Sequence, residues 1–384
     1  MPLKRTLQNF ITTGLLCIVC IAVYGQTNKG KQVRYKNGAP LKEVINDNFH
    51  IGVAINRNQA VGNDKQAQAI IVRQFNSISP ENDLKWERIH PLRDTYDFKY
   101  ADSYVNFGLD NNMFTIGHTL VWHSQTPNWV FEDKNGKPID RDNLLQIMKE
   151  HITTVVSRYK GKIKGWDVVN EAFNEDGTMR ASKWHTIIGD DYIEKAFEYA
   201  HEADPDAELY YNDYNVYKTE KRAGILKLIS KLKSHNIFIT AVGEQGHYSL
   251  DAPAISNVEQ TITDFKALGV KVNITELDIS VLPDKAENLT ADVSNKEKYE
   301  EKYNPYKNGL PKDVLKKLAQ RYGTLFKLFN QYSGTVSRVT LWGLSDADSW
   351  LNNWPMPGRT NYPLLFDRQY KAKAEVIKAI EDSF

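Results

Sequence analysis

The sequence predicts an α/β fold of the (β/α)₈ type, a TIM barrel formed by a single domain. Three observations lead to this prediction. Short segments rich in β-branched residues alternate with helical segments along the chain, and polar residues follow one strand-like segment after another. A chain of 384 residues, 41% of them hydrophobic and 25% charged, is also long enough to bury the core of such a barrel.

Eight segments are predicted to be strands because each is a short run rich in β-branched or aromatic residues. In chain order they are residues 49–55, 77–82, 113–122, 163–171, 207–212, 239–243, 270–276 and 336–344. Because eight strands, each followed by a helix, close into a barrel, this number favours the closed fold.

Helical segments between the strands are recognised by apolar residues that recur three or four positions apart. The clearest are residues 144–159, 192–200, 225–232 and 315–329. A doubly wound open sheet is the competing arrangement. In that fold the polar site lies near one switch point, whereas here polar residues end strands along the full length of the chain. The sequence therefore favours the barrel.

The N-terminal segment has the features of a secretory signal peptide. The basic residues Lys4 and Arg5 precede an apolar run at residues 11–23, and a cleavage point follows Gly25. The apolar run is too short to span a membrane, so no stable membrane span is expected after cleavage. We expect a signal peptide at residues 1–25, a polar leader at 26–41 and the barrel domain at 42–384.

Composition excludes several classes of partner. Both cysteines, Cys17 and Cys20, lie in the apolar run, so the mature chain would contain no disulfide, and we expect it to be secreted, periplasmic or held at the cell surface. Cleavage removes the positive charges of Lys4 and Arg5 and changes the formal net charge from +1 to −1. A nearly neutral chain without a basic tract is not expected to bind nucleic acid. We expect a monomer.

Residues 284–312 differ in composition from the rest of the chain, since they are charged and rich in tyrosine. We predict an extended loop after the seventh strand, on the face of the barrel that would hold the active site. Long ordered loops are often functional, and a solvated excursion is the alternative. No Gly/Ser-rich linker divides the chain into further domains.

Two of the predicted strands end in a glutamate. Apolar Trp166 and Val168 predict a buried strand that ends in the polar pair Asn170 and Glu171, and a second β-branched run ends in Glu276. In a parallel barrel the carboxyl ends of the strands carry the catalytic groups. Glycoside hydrolysis requires two such carboxyls, one to donate a proton and one to stabilise or attack the oxocarbenium-like carbon.

Polar and aromatic clusters also follow the other strands. The histidines in these clusters are of a type that can bind zinc. However, His118, His123 and His247 do not form a helical His-x-x-x-His pair, and amides and indoles dominate these clusters. The chain also lacks a Gly-rich phosphate loop and a Gly-x-Ser-x-Gly nucleophile elbow. We therefore expect neither a metal nor a cofactor.

Long motifs occur at successive strand ends. They are ENDLKW at residues 81–86, GHTLVWHSQ at 117–125, WDVVNE at 166–171, ITELD at 274–278, WGLSD at 342–346 and SWLN at 349–352. In this order they resemble the motifs of glycoside hydrolase family 10, the endo-β-1,4-xylanases. The resemblance spans nearly all of the mature chain. It implies the barrel fold and the hydrolysis of xylan and xylo-oligosaccharides with retention of configuration.

The resemblance also assigns the site residues. Glu171 matches the acid/base and Glu276 the nucleophile. His247 matches a histidine that bridges the nucleophile and the carboxylate two residues beyond it, here Asp278, and Asn170 matches the residue that binds the sugar 2-hydroxyl. Residues that match the subsites for the non-reducing part of the substrate are Glu81, Asn82, Lys85, His118, Trp122, Gln125, Gln245, Trp342 and Trp350, and candidates for the leaving-group side are Tyr214 and Asn215.

Two alternatives to a xylanase are considered. Another barrel glycosidase, a cellulase or a mixed-linkage glucanase, would share the two glutamates but not the set of Lys85, His118 and Gln125. A sugar-binding protein without activity would keep the aromatic cleft, but it would have no need for both Glu171 and Glu276.

Overall fold

The computed structural model describes residues 38–284, 291–294 and 296–384. The predicted signal peptide and leader residues 26–37 lie outside the described residues, as do residues 285–290 and 295 of the predicted loop. Of the predicted leader, residues 38–41 are described, and Leu41 is buried and begins the first helix.

The described residues form a closed parallel barrel. The strands are β1 His50–Ile55, β2 Ser77–Pro80, β3 Phe114–Trp122, β4 Gly165–Asn170, β5 Glu208–Asp213, β6 Ala241–Glu244, β7 His247–Ser249, β8 Lys271–Ser280 and β9 Val336–Leu341. The sheet order is β6-β5-β4-β3-β2-β1-β9-β8, and pairing of β6 with β8 closes it. The predicted (β/α)₈ fold is therefore confirmed.

The predicted strands overlap the barrel strands but differ from them at the ends. Short strand β7 was not predicted; it pairs in parallel with the outer part of β8, where His247 lies opposite Asp278. The prediction ended the seventh barrel strand at Glu276, whereas β8 continues to Ser280 because β7 provides hydrogen-bond partners for this extension. The predicted strand at 336–344 ends earlier, at Leu341.

Helices surround the barrel and connect its strands. They are α1 Leu41–Ile45, α2 Arg57–Ala60, α3 Lys65–Gln74, α4 Trp86–Ile89, α5 Lys99–Asp110, α6 Arg141–Arg158, α7 Lys183–Ile188, α8 Tyr192–Ala203, α9 Thr219–Ser234, α10 Ile255–Ala267, α11 Lys312–Gln331 and α12 Ala374–Glu381. The segments predicted from periodicity coincide with α6, α8, α9 and α11. No helix in the described part of the chain is long and apolar enough to cross a lipid bilayer.

Local sequence fixes where several helices begin and which face they bury. The side chain of Asp140 accepts a hydrogen bond from the backbone N–H of Asn143 at 2.9 Å and so caps α6. Within α6, Leu144, Met148 and Ile152 are fully buried at a spacing of four residues, so this face packs on the barrel.

Close packing inside the barrel requires glycine at two positions. A Cβ atom at Gly165 would lie 2.1 Å from the hydroxyl of Tyr210, and one at Gly117 would lie 2.0 Å from the ring of Trp166. Glycine therefore makes room for these large rings at the first residue of β4 and within β3. Strand β4 pairs in parallel with β3 on one side and β5 on the other, so the carboxyl ends of the three strands lie side by side.

Candidate active site

Side chains from the carboxyl ends of the barrel strands meet around a cavity of about 50 Å³. Barrel enzymes carry their catalytic groups at this end. The residues that line the cavity are Lys85, His118, Trp122, Asn170, Glu171, Gln245, His247, Glu276, Ala291, Val293, Trp342 and Trp350. All of them except Ala291 and Val293 are residues that the sequence analysis assigned to the site.

Glu171 directly follows β4 and is 4% exposed. Its backbone has a φ of 58°, a left-handed conformation that is costly for a residue with a side chain and is found preferentially at functional sites. The carboxyl oxygen Oε2 accepts a hydrogen bond from Trp122 Nε1 at 2.8 Å. The other oxygen, Oε1, accepts from Gln245 Nε2 at 3.0 Å and from Asn170 Nδ2 at 3.2 Å. All three donors are uncharged.

These surroundings favour the protonated form of Glu171. Burial raises the pKa of Glu171 above its ordinary value. The hydrogen bonds from Gln245 and Trp122 reduce this shift, and the negative charge of Glu276 adds to it. The net effect is a carboxyl that keeps its proton at a higher pH than a solvent-exposed glutamate.

Glu276 lies within β8 and is as deeply buried as Glu171, but its partners differ. Its Oε2 is 3.2 Å from His247 Nε2, and its Oε1 accepts from Asn212 Nδ2 at 3.0 Å. Burial opposes ionisation, but the hydrogen bond from His247 and nearby positive charges outweigh it and lower the pKa of Glu276. Glu276 is therefore ionised at neutral pH.

His247 lies between two carboxylates. Its Nδ1 is 3.0 Å from Asp278 Oδ1, while its Nε2 faces Glu276. Burial lowers the pKa of His247, but Asp278 and Glu276 outweigh burial and raise it to about 10. Both ring nitrogens therefore carry protons at neutral pH and donate. Trp350 donates from Nε1 to Asp278 Oδ2 at 2.7 Å, which fixes the outer carboxylate.

Asn212 was not among the predicted site residues, although it belongs to β5 and contacts the site directly. Its Nδ2 donates to Glu276 Oε1 at 3.0 Å and to Asn170 Oδ1 at 2.9 Å. Its Oδ1 accepts from the hydroxyl of Thr275 at 2.7 Å, which fixes the orientation of the amide. The signal in the sequence was the amide at the end of the fifth strand, but nothing in the sequence indicated its partner.

Lys85 lines the cavity and is hydrogen bonded to two other predicted site residues. Its Nζ donates to Gln125 Oε1 at 2.9 Å and to Asn82 Oδ1 at 3.1 Å, and lies 5.0 Å from the centre of the Trp122 ring. Asn82 and Gln125 do not line the cavity themselves. Burial lowers the pKa of Lys85, and neighbouring carboxylates oppose this shift.

His118 and Glu81 occupy different positions around the site. His118 is buried in the cavity wall, with Nδ1 2.9 Å from Asp167 Oδ2 and its ring 5.6 Å from that of Trp342. Glu81 lies just beyond β2, outside the cavity lining. Burial, followed by the negative charge of Asp348, raises the pKa of Glu81 to about 8.

Tyr214 contacts the site through an arginine that the sequence analysis did not identify. Arg180 donates from Nη2 to the hydroxyl of Tyr214 at 2.8 Å and from Nε to the backbone carbonyl of Glu171 at 3.1 Å. Its Nη1 forms an ion pair with Asp292 at 3.1 Å. The predicted loop therefore reaches the active-site face, where Ala291 and Val293 on either side of Asp292 line the cavity.

The histidines considered as zinc ligands are not gathered into a metal site. In the described part of the chain, no group of three or more His, Cys, Asp or Glu residues is placed to hold a metal ion. Burial, followed by the charge of Arg180, lowers the pKa of His123 to about 4.

The two glutamates together form a pair of carboxyls with opposite proton affinity across one small cavity. A carboxyl that holds its proton can act as a general acid, and an ionised carboxylate can act as a nucleophile. Aromatic rings of Trp122, Trp342 and Trp350 form apolar walls beside them. This combination suits acid-assisted cleavage of a glycosidic bond.

Comparison with known proteins gives a family and close relatives. The model for Glycosyl hydrolase family 10 matches residues 40–382 of the chain. Endo-1,4-beta-xylanase A of Xylanibacter ruminicola is 46% identical over 349 residues, which cover 90% of this chain and 95% of that protein. The beta-1,4-xylanase of Dictyoglomus thermophilum is 42% identical over 343 residues, covering 88% of this chain and 90% of that protein.

Solved structures resemble the fold over the same extent. A GH10 endoxylanase retrieved from a sugarcane soil metagenome superposes with a TM-score of 0.87 at 43% identity, covering 89% of this chain and 99% of that chain. A xylanase from Paenibacillus barcinonensis, in complex with a conduramine derivative, gives a TM-score of 0.80 at 35% identity, covering 89% of this chain and 98% of that chain.

Proposed function

The chain belongs to glycosyl hydrolase family 10, and we propose that it is an endo-1,4-β-xylanase that cleaves internal bonds of xylan with Glu171 as acid/base and Glu276 as nucleophile. The observation that carries this proposal is that the pKa values of the two buried carboxyls are shifted in opposite directions. The pKa of Glu171 is raised and that of Glu276 is lowered, as the two roles require.

The proposed reaction has two displacement steps. In the first, Glu276 attacks the anomeric carbon, Glu171 gives its proton to the departing glycosidic oxygen, and a covalent glycosyl ester forms on Glu276. In the second, Glu171 takes a proton from water, the water oxygen attacks the same carbon, and the ester bond to Glu276 breaks. Two inversions leave the configuration retained.

Neighbouring residues have positioning roles in this scheme. Asn212 holds Glu276 through one oxygen while His247 holds the other, so the carboxylate has a fixed orientation for attack. Asn170 is hydrogen bonded to both Asn212 and Glu171, which suits the role of binding a sugar hydroxyl beside the cleaved bond. Preorganised hydrogen bonds of this kind lower the cost of reaching the transition state.

The test is reducing-sugar release from xylan, carboxymethyl cellulose and mixed-linkage β-glucan, measured in parallel under identical conditions. We expect rapid release from xylan and little from the other two polymers. Faster release from cellulose or β-glucan would replace the xylanase proposal with a glucanase. Binding to xylan without any release would indicate a sugar-binding protein.

The choice of xylose over glucose follows from a difference at C5, where glucose carries a hydroxymethyl group. The ring of Trp350 borders the catalytic cavity beside that of Trp342, so the extra group would be crowded there. One small group in a pocket changes the activation free energy by about 1–3 kcal/mol, or roughly 10- to 200-fold in kcat/KM. We expect aryl xylobiosides to be preferred over aryl cellobiosides within that range, and equal values would contradict the proposed crowding.

We also propose that residues 1–25 are removed as a signal peptide, which leaves a leader at 26–41 before the catalytic domain at 42–384 in a secreted, periplasmic or surface-held enzyme. The basic pair before an apolar run supports this proposal. Mass spectrometry of the protein expressed in a bacterium that secretes it is expected to give Gln26 as the first residue. An intact N-terminus on cytoplasmic protein would contradict it.

A further inference from the structure

The chain leaves the sheet directly after Glu171, and the next backbone groups depend on side chains for their hydrogen bonds. Glu171 N donates to the carbonyl of Asn212 at 2.9 Å and so continues the ladder between β4 and β5 by one residue. The backbone of Glu171 is left-handed, with a φ of 58°, and ends the extended conformation of the strand. The N–H groups of Ala172 and Phe173 follow, and both residues are buried. Because a buried N–H group without an acceptor is costly, each needs a partner outside the ladder.

Tyr211 of β5 provides the acceptor for the first of these groups. Its hydroxyl oxygen accepts from Ala172 N at 3.0 Å, and the hydroxyl donates its proton to Asp213 Oδ2. Tyr211 is fully buried, and burial raises the pKa of the hydroxyl well above its ordinary value. The hydroxyl is therefore neutral at neutral pH, and it accepts from one partner while it donates to the other.

Asp213, two residues further along β5, provides the acceptor for the second group. Its Oδ2, which also receives the Tyr211 hydroxyl, accepts from Phe173 N at 3.4 Å, and its Oδ1 accepts from Tyr214 N at 2.9 Å. Burial raises the pKa of Asp213, and Lys221 of α9, with Nζ 2.9 Å from Oδ1, opposes this shift. A carboxyl with donors on both oxygens has a fixed orientation, so the Tyr211 hydroxyl is fixed as well.

The peptide group between Glu171 and Ala172 is held at both of its polar atoms. Arg180 Nε donates to the Glu171 carbonyl at 3.1 Å, and the Ala172 N–H of the same group donates to Tyr211. In a planar trans peptide the carbonyl and the N–H point in opposite directions, so the two contacts together fix the orientation of the plane. With the hydrogen bond from Glu171 N to Asn212, they also fix the direction of the Cα–Cβ bond of Glu171.

The conformation of Glu171 makes this support necessary. A left-handed φ is costly for a glutamate and persists only where surrounding contacts determine it. The donors to the carboxyl, Trp122 and Gln245, do not hold the backbone. If the peptide group rotated, the carboxyl would move, and a proton donor has to lie about 2.6–3.2 Å from the atom that it protonates. Small displacements of this carboxyl are therefore expected to cost much of the rate.

We propose that Tyr211, supported by Asp213, is a positioning residue for the acid/base. Its hydroxyl holds the peptide group after Glu171 and so keeps the carboxyl within reach of the departing oxygen. This inference rests on the proposed role of Glu171. Because Tyr211 acts only through that residue, it contributes to the cleavage of bonds whose leaving group needs a proton, and it contributes little where the leaving group departs without one.

The test compares kcat/KM for phenyl and dinitrophenyl xylobiosides. Tyr211→Phe removes only the hydroxyl, and we expect kcat/KM to fall by about 10- to 100-fold for the phenyl substrate and by less than about threefold for the dinitrophenyl one. Tyr210→Phe is the matched control, because it removes a buried hydroxyl from the adjacent residue of β5, one that donates to Glu208 Oε2 at 2.7 Å. We expect this control to keep both values within about twofold.

A double-mutant cycle separates positioning from a general loss of structure. In the Glu171→Ala background there is no proton donor to position, so Tyr211→Phe is expected to lower kcat/KM for the phenyl substrate by less than about threefold. A loss of equal size in both backgrounds, or with both leaving groups, would make Tyr211 a structural residue and overturn the proposal. Circular dichroism verifies the fold. If Tyr211→Phe does not fold, Asp213→Asn carries the test: it keeps the side-chain shape, removes the carboxyl that accepts from Tyr211, and is expected to show the same dependence on the leaving group.

Glu171→Ala by itself separates this inference from the proposed function. Dependence on the leaving group in Glu171→Ala but not in Tyr211→Phe would overturn only the positioning role. Equal losses with both leaving groups in Glu171→Ala would instead overturn the acid role of Glu171, on which the inference rests.

Discussion

The surroundings of Glu171 and Glu276 are alike in burial and opposite in effect. Both carboxyls lie at the same end of the barrel and accept hydrogen bonds through both oxygens, yet the pKa of Glu171 is raised and that of Glu276 is lowered. The donors to Glu171 are uncharged amides and an indole, represented by Gln245 and Trp122, whereas Glu276 faces the charged imidazole of His247. The charge of the donor, and not burial, therefore decides which carboxyl keeps its proton.

The difference extends beyond the first contacts. His247 stays charged because Asp278 lies on its other side, and Trp350 holds Asp278 in place. Near Glu171, the charged Arg180 donates to the backbone carbonyl of Glu171. This hydrogen bond fixes the position of the backbone and does not involve the carboxyl. The surroundings of Glu276 therefore stabilise a negative charge, whereas those of Glu171 favour the protonated carboxyl.

The largest expected effect comes from removing Glu276, the ionised carboxyl of the pair. Glu276→Ala removes the carboxylate that we propose attacks the anomeric carbon, and we expect hydrolysis of every substrate to fall on the order of 10⁵-fold, as when a covalent nucleophile is lost in other hydrolases. The measurement is kcat/KM on xylan and aryl xylobiosides, with circular dichroism to verify the fold. Glu259→Gln, whose carboxylate accepts from Tyr332 away from the cavity, is the matched control and is expected to keep full activity. Substantial turnover by Glu276→Ala would mean that another group attacks.

The next largest effect is expected from replacing Glu171, the carboxyl that keeps its proton. Its size depends on the leaving group of the substrate. Glu171→Ala removes the proposed proton donor, so kcat/KM for a phenyl xylobioside is expected to fall by about 10²–10⁴-fold, the usual contribution of general acid catalysis. A dinitrophenyl leaving group departs without a proton, so its kcat/KM is expected to fall by less than about tenfold. Equal losses with both leaving groups would remove Glu171 from the acid role.

A third change removes the charge that distinguishes the two regions. The proposed reaction requires ionised Glu276, so kcat/KM is expected to fall as the pH drops through the pKa of that group. His247→Asn removes the charged donor and raises this pKa, so we expect the acidic limb of the profile to move to higher pH by about 1–2 units. His185→Asn, which makes the same substitution near the surface, should leave the limb in place. An unmoved limb with reduced activity would limit His247 to positioning.

The smallest expected effect is on the basic limb of the pH profile of kcat/KM. The proposed reaction requires protonated Glu171, so kcat/KM is expected to fall as the pH rises through the pKa of Glu171. The indole of Trp122 donates to Glu171 and stabilises the ionised form, so Trp122→Phe is expected to raise that pKa further and move the basic limb to higher pH by about 0.5–1 unit. Trp129→Phe, which removes an indole hydrogen bond to the Pro91 carbonyl, serves as control. A shift to lower pH would contradict the described role of the Trp122 hydrogen bond.

Patterns of local origin could be predicted from the sequence. Alternating strands and helices gave the barrel, and the polar clusters at strand ends gave most of the residues that line the cavity. Residues whose role depends on a distant partner were missed: Asn212, which bonds Glu276, and Arg180, which joins Tyr214 to the backbone of Glu171. The short strand β7 was missed for the same reason, since its pairing with β8 gives no periodic signal in three residues.

The sequence by itself determined the order of the strands and the residue types at their carboxyl ends, because hydrophobic periodicity and motif spacing are properties of neighbouring residues. Only the tertiary structure decided the protonation states of the two glutamates. Glu171 and Glu276 each end a strand-like run in the sequence, and no residue beside either of them indicates which carboxyl keeps its proton. The distinction arises when β7 brings His247 within 3.2 Å of Glu276 while β3 and β6 direct uncharged donors to Glu171, because a charge acts on a pKa only across a short distance in space.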